Sequence, residues 1–167
     1  IEKLCNFAHK YWAKVYVVLN TTIYLDEEFE YIQNTINRLY KIGVDAIIIS
    51  DMGILTLDLP PIPIFAGVHT LCFTPEKAKF FEDIGIKRII LPRELTFEEI
   101  KNIAEKTTIP LEIFIHGLFC VAYSGNCYLK YGQRLKQTNK EKSLDNYQCY
   151  AANFGSCSSQ CGDFYNL

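Results

Sequence analysis

The chain has 167 residues, 49% of them apolar, a formal net charge of −2 and a mean hydropathy of +0.03. That is one domain's worth of globular protein with a real core, neither a disordered chain nor one whose net charge alone would trap nucleic acid. Apolar runs end after roughly eight residues, against about 20 for a membrane helix, so neither a membrane span nor a secretory leader is expected.

In chain order, residues 1–13 predict a helix with Leu4, Phe7, Ala8 and Tyr11 on its apolar face and Cys5 and His9 as packing residues. Val15 to Leu19 is an apolar strand ending at Asn20. Asp26 is the expected cap of a helix with acids in its first turn, where the dipole favours them, and Gly43 closes that helix. Ala46 to Ile49 is the second strand, ending at Ser50-Asp51. Ile62 to Val68 is the third, ending at His69. Thr74-Pro75 predicts a helix start with proline in the first turn, and that helix runs to about Gly85. Arg88 to Leu91 is the fourth strand, ending at Pro92-Arg93-Glu94. Thr96 and Glu99 form a capping box, and Leu111 to Ile115 reads as a fifth, buried strand ending at His116-Gly117.

RLYKIGVDAIIIS (38–50) and FFEDIGIKRIILP (80–92) repeat one plan: helix end, Ile-Gly hinge, charged turn, buried strand. Such apolar strands alternating with amphipathic helices predict parallel pairing in an α/β fold. With right-handed crossovers, five successive units curl toward a (β/α) barrel, and a full barrel needs about 250 residues. The expected architecture is therefore an incomplete TIM-like (β/α) barrel segment over 1–119. A Cys-rich segment, 120–167, follows in the same domain, and the missing strands come from the rest of a parent chain. An open doubly wound sheet is the alternative; no Gly-rich phosphate loop follows any strand, which argues against a nucleotide-binding version.

Ligands of parallel α/β folds meet the carboxyl ends of the strands. Those ends carry Asn20, Asp51, His69, Arg93 with Glu94, and His116. Each alone is as readily a loop cap as a ligand contact; all five strands contributing one is harder to dismiss. The reading assigns His116, Asp51, Arg93 and Glu94 to catalysis, and Asn20 and His69 to substrate binding.

Five of the seven cysteines follow residue 119. An odd, uneven set fits a disulfide framework badly and suits a metal or redox site in a reducing, cytoplasmic setting. Cys120-x6-Cys127 and Cys157-x3-Cys161 lack the tight C-x2-C spacing, so four thiolates there suit zinc or an iron–sulfur cluster equally, with disulfides as the plain alternative. Cys72 reads as a small buried apolar residue, and Cys149 is ambiguous. Between the pairs, Lys130, Arg134, Lys136, Lys140 and Lys142 interleave with Tyr128, Tyr131 and Tyr147. Such a Lys130–Lys142 loop could grip RNA; Glu141 and Asp145 dilute its charge, and a solvated insertion is the plainer reading.

The stretch around His116 resembles the signature of the collagenase-like peptidases, number thirty-two among families of unknown catalytic type. Glu112, Phe114, His116, Gly117, Cys120, Tyr123, Ser124, Gly125 and Cys127 fit its pattern E-x-F-x-H-G-x-x-C-x-x-Y-S-G-x-C. AHKYWAKVYVVLNT, GVDAIIISDMGIL and LPRELTFEEI resemble the family's upstream barrel. The resemblance implies a TIM-like barrel and a [4Fe–4S] cluster on Cys120, Cys127 and Cys157, with Cys161 or a residue beyond this chain as fourth ligand. Members are called proteases, yet the better understood ones resemble oxygen-independent hydroxylation factors for RNA bases or quinone precursors. This chain departs from the family's pattern at His69 and Leu71, where Gln and Asn are usual. It also lacks both arginines usual around Cys157 and Cys161, and has a longer stretch between Cys127 and Cys157.

Hydrolysis needs an activated nucleophile or a metal-bound water with a base, and neither Gly-x-Ser-x-Gly nor His-Glu-x-x-His occurs. A redox role uses the same cysteines with less strain. The expected function is therefore iron–sulfur-dependent hydroxylation of an RNA base or small quinone precursor. A peptidase is the alternative, and a non-catalytic, zinc- or cluster-stabilised binding domain is the third.

Overall fold

A computed structural model of the chain describes residues 1–20, 23, 25–117, 123 and 124. Helices α1 (Glu2–His9), α2 (Asp26–Lys41), α3 (Pro75–Asp83) and α4 (Phe97–Ala104) alternate with strands β1 (Tyr16–Leu19), β2 (Ala46–Ile49), β3 (Ile64–Ala66), β4 (Arg88–Ile90) and β5 (Leu111–Glu112). The strands form one parallel sheet in the order β1-β2-β3-β4-β5. Each strand lies beside its predecessor, with no reversal of order, which is the winding of a barrel segment and not of a doubly wound sheet. Among the described residues no helix is long and apolar enough to cross a membrane.

Alternation along the strands sets the layers. Val17, Leu19, Ile47, Ile49 and Ile64 face α2, whose Ile32, Ile36 and Leu39 are buried against them. Ala66, Ile89 and Leu91 face Ala78 and Phe81 of α3 and Ile103 of α4. Burying an Ile or Phe side chain stabilises by about 1.5–3 kcal/mol, so these two clusters hold the helices on the sheet. On the opposite face Tyr16 and Phe65 meet edge to face at 5.1 Å, and the Arg88 guanidinium lies 4.8 Å from the Phe65 ring centre. Arg88 also pairs with Glu112 at 3.3 Å.

The internal repeat is a repeated helix stop. Gly43 and Gly85 have φ of +84° and +91°, a region glycine enters without penalty. After each, the next residue bonds back to its helix: Val44 N to Leu39 O at 3.1 Å, Ile86 N to Phe81 O at 3.0 Å. Val44 and Ile86 are thereby buried and start the turn into β2 and β4. The Thr74 cap and the Thr96–Glu99 capping box form as expected.

Four local expectations need correction. The first helix ends at His9, and Leu4, Phe7 and Tyr11 are 58%, 60% and 69% exposed; the side packed on the core carries Cys5, which is fully buried. Asp26 lies inside α2 and does not cap it; the Glu28 carboxylate instead accepts the Leu25 amide at 3.1 Å. The third strand pairs only from Ile64 to Ala66, and Val68–Thr70 turns as a 3₁₀ helix. The fifth strand pairs only over Leu111–Glu112, and Ile115 is 87% exposed, because no described element covers that edge.

Candidate functional site

The strand ends come together in pairs. Asn20 closes β1 and Ser50 closes β2; the Ser50 hydroxyl donates to Asn20 Oδ1 at 3.0 Å. The Asn20 side chain then reaches across to β3, where a Cβ built on Gly67 would lie 2.8 Å from Asn20 Oδ1 and 3.0 Å from Ile49 O. Only a residue without a side chain fits there. Asp51 is spent on backbone: Oδ1 accepts from Gly53 N at 2.8 Å and Oδ2 from Ile23 N at 3.0 Å. It caps the 3₁₀ turn Met52–Thr56 and straps the loop after β1 to it.

His69 sits in the turn after β3, half-buried, and its Nδ1 is buried without a hydrogen-bond partner among the described residues. Burial pushes its pKa down, the Arg93 charge pushes it further, and Glu94 opposes both. The three expected residues His69, Arg93 and Glu94 therefore share one electrostatic environment at the ends of β3 and β4. Arg93 is half-buried and already engaged.

Glu94 holds Ser124, which follows β5 in the chain. Its Oε1 accepts the Ser124 amide at 2.6 Å and its Oε2 accepts the Ser124 hydroxyl at 3.0 Å. Ser124 is 1% exposed. Burial raises the pKa of Glu94, but the Ser124 donors and Arg93 outweigh it and hold the carboxyl below the usual range. Beside this contact Tyr123 stacks on Phe73 with ring centres 5.7 Å apart. Phe73, Tyr123 and Ser124 had no role in the ring of strand-end residues; the Tyr-Ser-Gly triplet was the signal that could have singled out the last two.

His116 is exposed at the end of the described run, so the described residues do not bring it into contact with the His69 group. Cys120, Cys127, Cys157 and Cys161, and the Lys130–Lys142 loop, lie outside the described residues. Of the expected 120–167 segment, only Tyr123 and Ser124 lie within them. Among the described residues no three His, Cys, Asp or Glu side chains converge as a metal site. The two described cysteines, Cys5 and Cys72, are fully buried, and burial pushes the Cys72 thiol up to about 11. A thiol of that kind is the opposite of a thiolate ligand.

The family model for Peptidase family U32 matches residues 1–167. The chain is 43% identical over its full length to the 23S rRNA 5-hydroxycytidine C2501 synthase of Escherichia coli, covering 23% of that protein. It is 31% identical over 97% of its length to the tRNA hydroxylation protein P of Escherichia coli, covering 33% of it. The chain thus spans about a quarter and a third of the length of these two relatives. A solved U32 peptidase, Mk0906, superposes with a TM-score of 0.58 at 20% identity, over 67% of this chain and 49% of that one.

Proposed function

The chain belongs to Peptidase family U32, and from that premise we propose that it supplies part of the substrate mouth of an RNA-base hydroxylating enzyme. Asn20, His69 and Arg93 contact the base, and His116 moves a proton at its imidazole. Cys120, Cys127, Cys157 and Cys161 hold a [4Fe–4S] cluster, with zinc as the alternative occupant. A cluster there would take up, one at a time, the electrons that hydroxylation removes from the base.

The observation that carries this reading is the grip of Glu94 on Ser124. Ser124 lies between Cys120 and Cys127 in the sequence. Three residues of chain span at most about 11 Å, so chain length alone limits the Cα atoms of Cys120 and Cys127 to about that reach of the Tyr123-Ser124 anchor, which Glu94 ties to the loop after β4. A redox group held close to the bound base is what electron transfer between the two requires. The names of the two hydroxylating relatives point to RNA in preference to a quinone precursor. The peptidase reading finds less support: among the described residues no Ser, Thr or Cys is hydrogen-bonded to a histidine, and the carboxylates of Asp51 and Glu94 are occupied by backbone and Ser124 donors.

The test is mass spectrometry of ribosomal and transfer RNA from cells with and without the intact gene. The proposal expects one pyrimidine to lose an added oxygen when the gene is removed and to regain it on complementation. Unchanged RNA together with peptide hydrolysis by the purified protein would replace it with the peptidase reading.

A further inference from the structure

Of the His69 ring, Nδ1 is the atom buried without a partner among the described residues, leaving Nε2 as the edge able to meet solvent or ligand. Three forms of the ring compete. The imidazolium and the Nδ1–H tautomer both place an N–H donor in a dry position, and a buried donor with no acceptor is the rarer and costlier defect. Glu94, the carboxylate whose charge the ring feels, accepts from Ser124 through both oxygens and makes no hydrogen bond to Nδ1 among the described residues. The Nε2–H tautomer leaves only a lone pair at Nδ1, on a ring that also feels the Arg93 cation. The charged groups acting on the ring are Arg93 and Glu94, with the cation's influence the larger; Asn20 and Ser50, on the neighbouring strands, are uncharged.

We infer that His69 is fixed as the neutral Nε2–H imidazole and offers that N–H to a carbonyl oxygen of the substrate base. It therefore selects an acceptor edge, such as the ring carbonyl of uracil or cytosine, and does not read the exocyclic amino group of cytosine. The substrate half of this inference rests on the reading that these strand ends form the RNA-base mouth; the tautomer half does not. The downward shift of the ring pKa has the sign the assignment requires.

The experiment is long-range proton–nitrogen NMR on the intact protein with labelled histidine, recorded across pH and then with short single-stranded oligoribonucleotides carrying one uridine or one cytidine. The expected result is an unprotonated Nδ1, a protonated Nε2, and a midpoint below the roughly 6.5 of a free histidine. Adding either oligomer should shift the Nε2 proton. His69→Ala should weaken oligomer binding about tenfold, the loss of one hydrogen bond. His69→Gln, which keeps an N–H donor at similar reach, should restore most of it. A proton on Nδ1, or a midpoint at or above 6.5, overturns the inference. Binding equally lost in the Gln variant overturns the donor role. The predicted tautomer with no response to either oligomer upholds the assignment of the ring and counts against the RNA-base reading.

Discussion

Glu94 and Ser124 stand thirty positions apart in the chain and meet through both carboxylate oxygens, at 2.6 Å to the amide and 3.0 Å to the hydroxyl. The contact occupies both oxygens of an acid expected to do chemistry and fixes the position of Ser124. Hydrogen bonds to a charged group contribute about 1.5–3 kcal/mol each. Glu94→Ala should therefore speed amide exchange at Ser124 at least tenfold, while Glu94→Gln, with one acceptor and one donor, should retain much of the protection. Equal exchange in wild type and Glu94→Ala would show that the contact holds nothing.

The same contact predicts an acid limit. Glu94 is held below its ordinary pKa, so its contribution is present above the unfolded value, near 4.5, and disappears as pH falls through the folded value. Protease susceptibility of the 118–130 stretch should stay flat from neutrality to about pH 5 and rise below that. In Glu94→Gln this rise should be absent.

His69 carries the opposite residue type with the same sign. Its folded pKa is lowered, so the unfolded chain takes up a proton first and stability falls as pH drops from about 6.5 toward the folded value. His69→Gln should flatten that part of the stability curve, measured by urea unfolding at stepped pH. A variant curve as steep as the wild type would place the titration elsewhere.

Gly67 has no room for a side chain. A methyl group would meet Asn20 Oδ1 at 2.8 Å and Ile49 O at 3.0 Å, one side-chain and one backbone atom. Overpacking of this kind costs about 1–3 kcal/mol. Gly67→Ala should lower the melting temperature by several degrees and displace Asn20 from Ser50, weakening substrate binding more than the loss of stability alone explains.

Much of this architecture is legible in the residues. The Ile-Gly pairs at 42–43 and 84–85 mark both helix stops because positive φ is a local demand that glycine answers. Thr74-Pro75 and Thr96–Glu99 mark helix starts for the same local reason. The face of α1 was not legible: Leu4, Phe7 and Tyr11 form an apolar stripe, and only the packing of neighbouring elements decides that Cys5 goes inward. Short parallel strands misled in length, since apolar residues past Ala66 and Glu112 continue the strand pattern after the pairing has ended. At the site, periodicity placed Asn20, Asp51, His69 and Glu94 at the strand ends correctly. Which of them face a ligand is a tertiary matter; Asp51 serves Gly53 and Ile23, and Glu94 serves a residue thirty positions on.

The central claim, a redox mouth built on the later cysteines, is tested most directly by iron, zinc and acid-labile sulfide analysis of the intact protein purified without oxygen. The account predicts iron and sulfide in equal amounts, unchanged by Cys72→Ala and abolished by Cys120→Ala with Cys127→Ala. Zinc without iron, or a metal-free protein that cleaves peptides and keeps doing so after both substitutions, would contradict it.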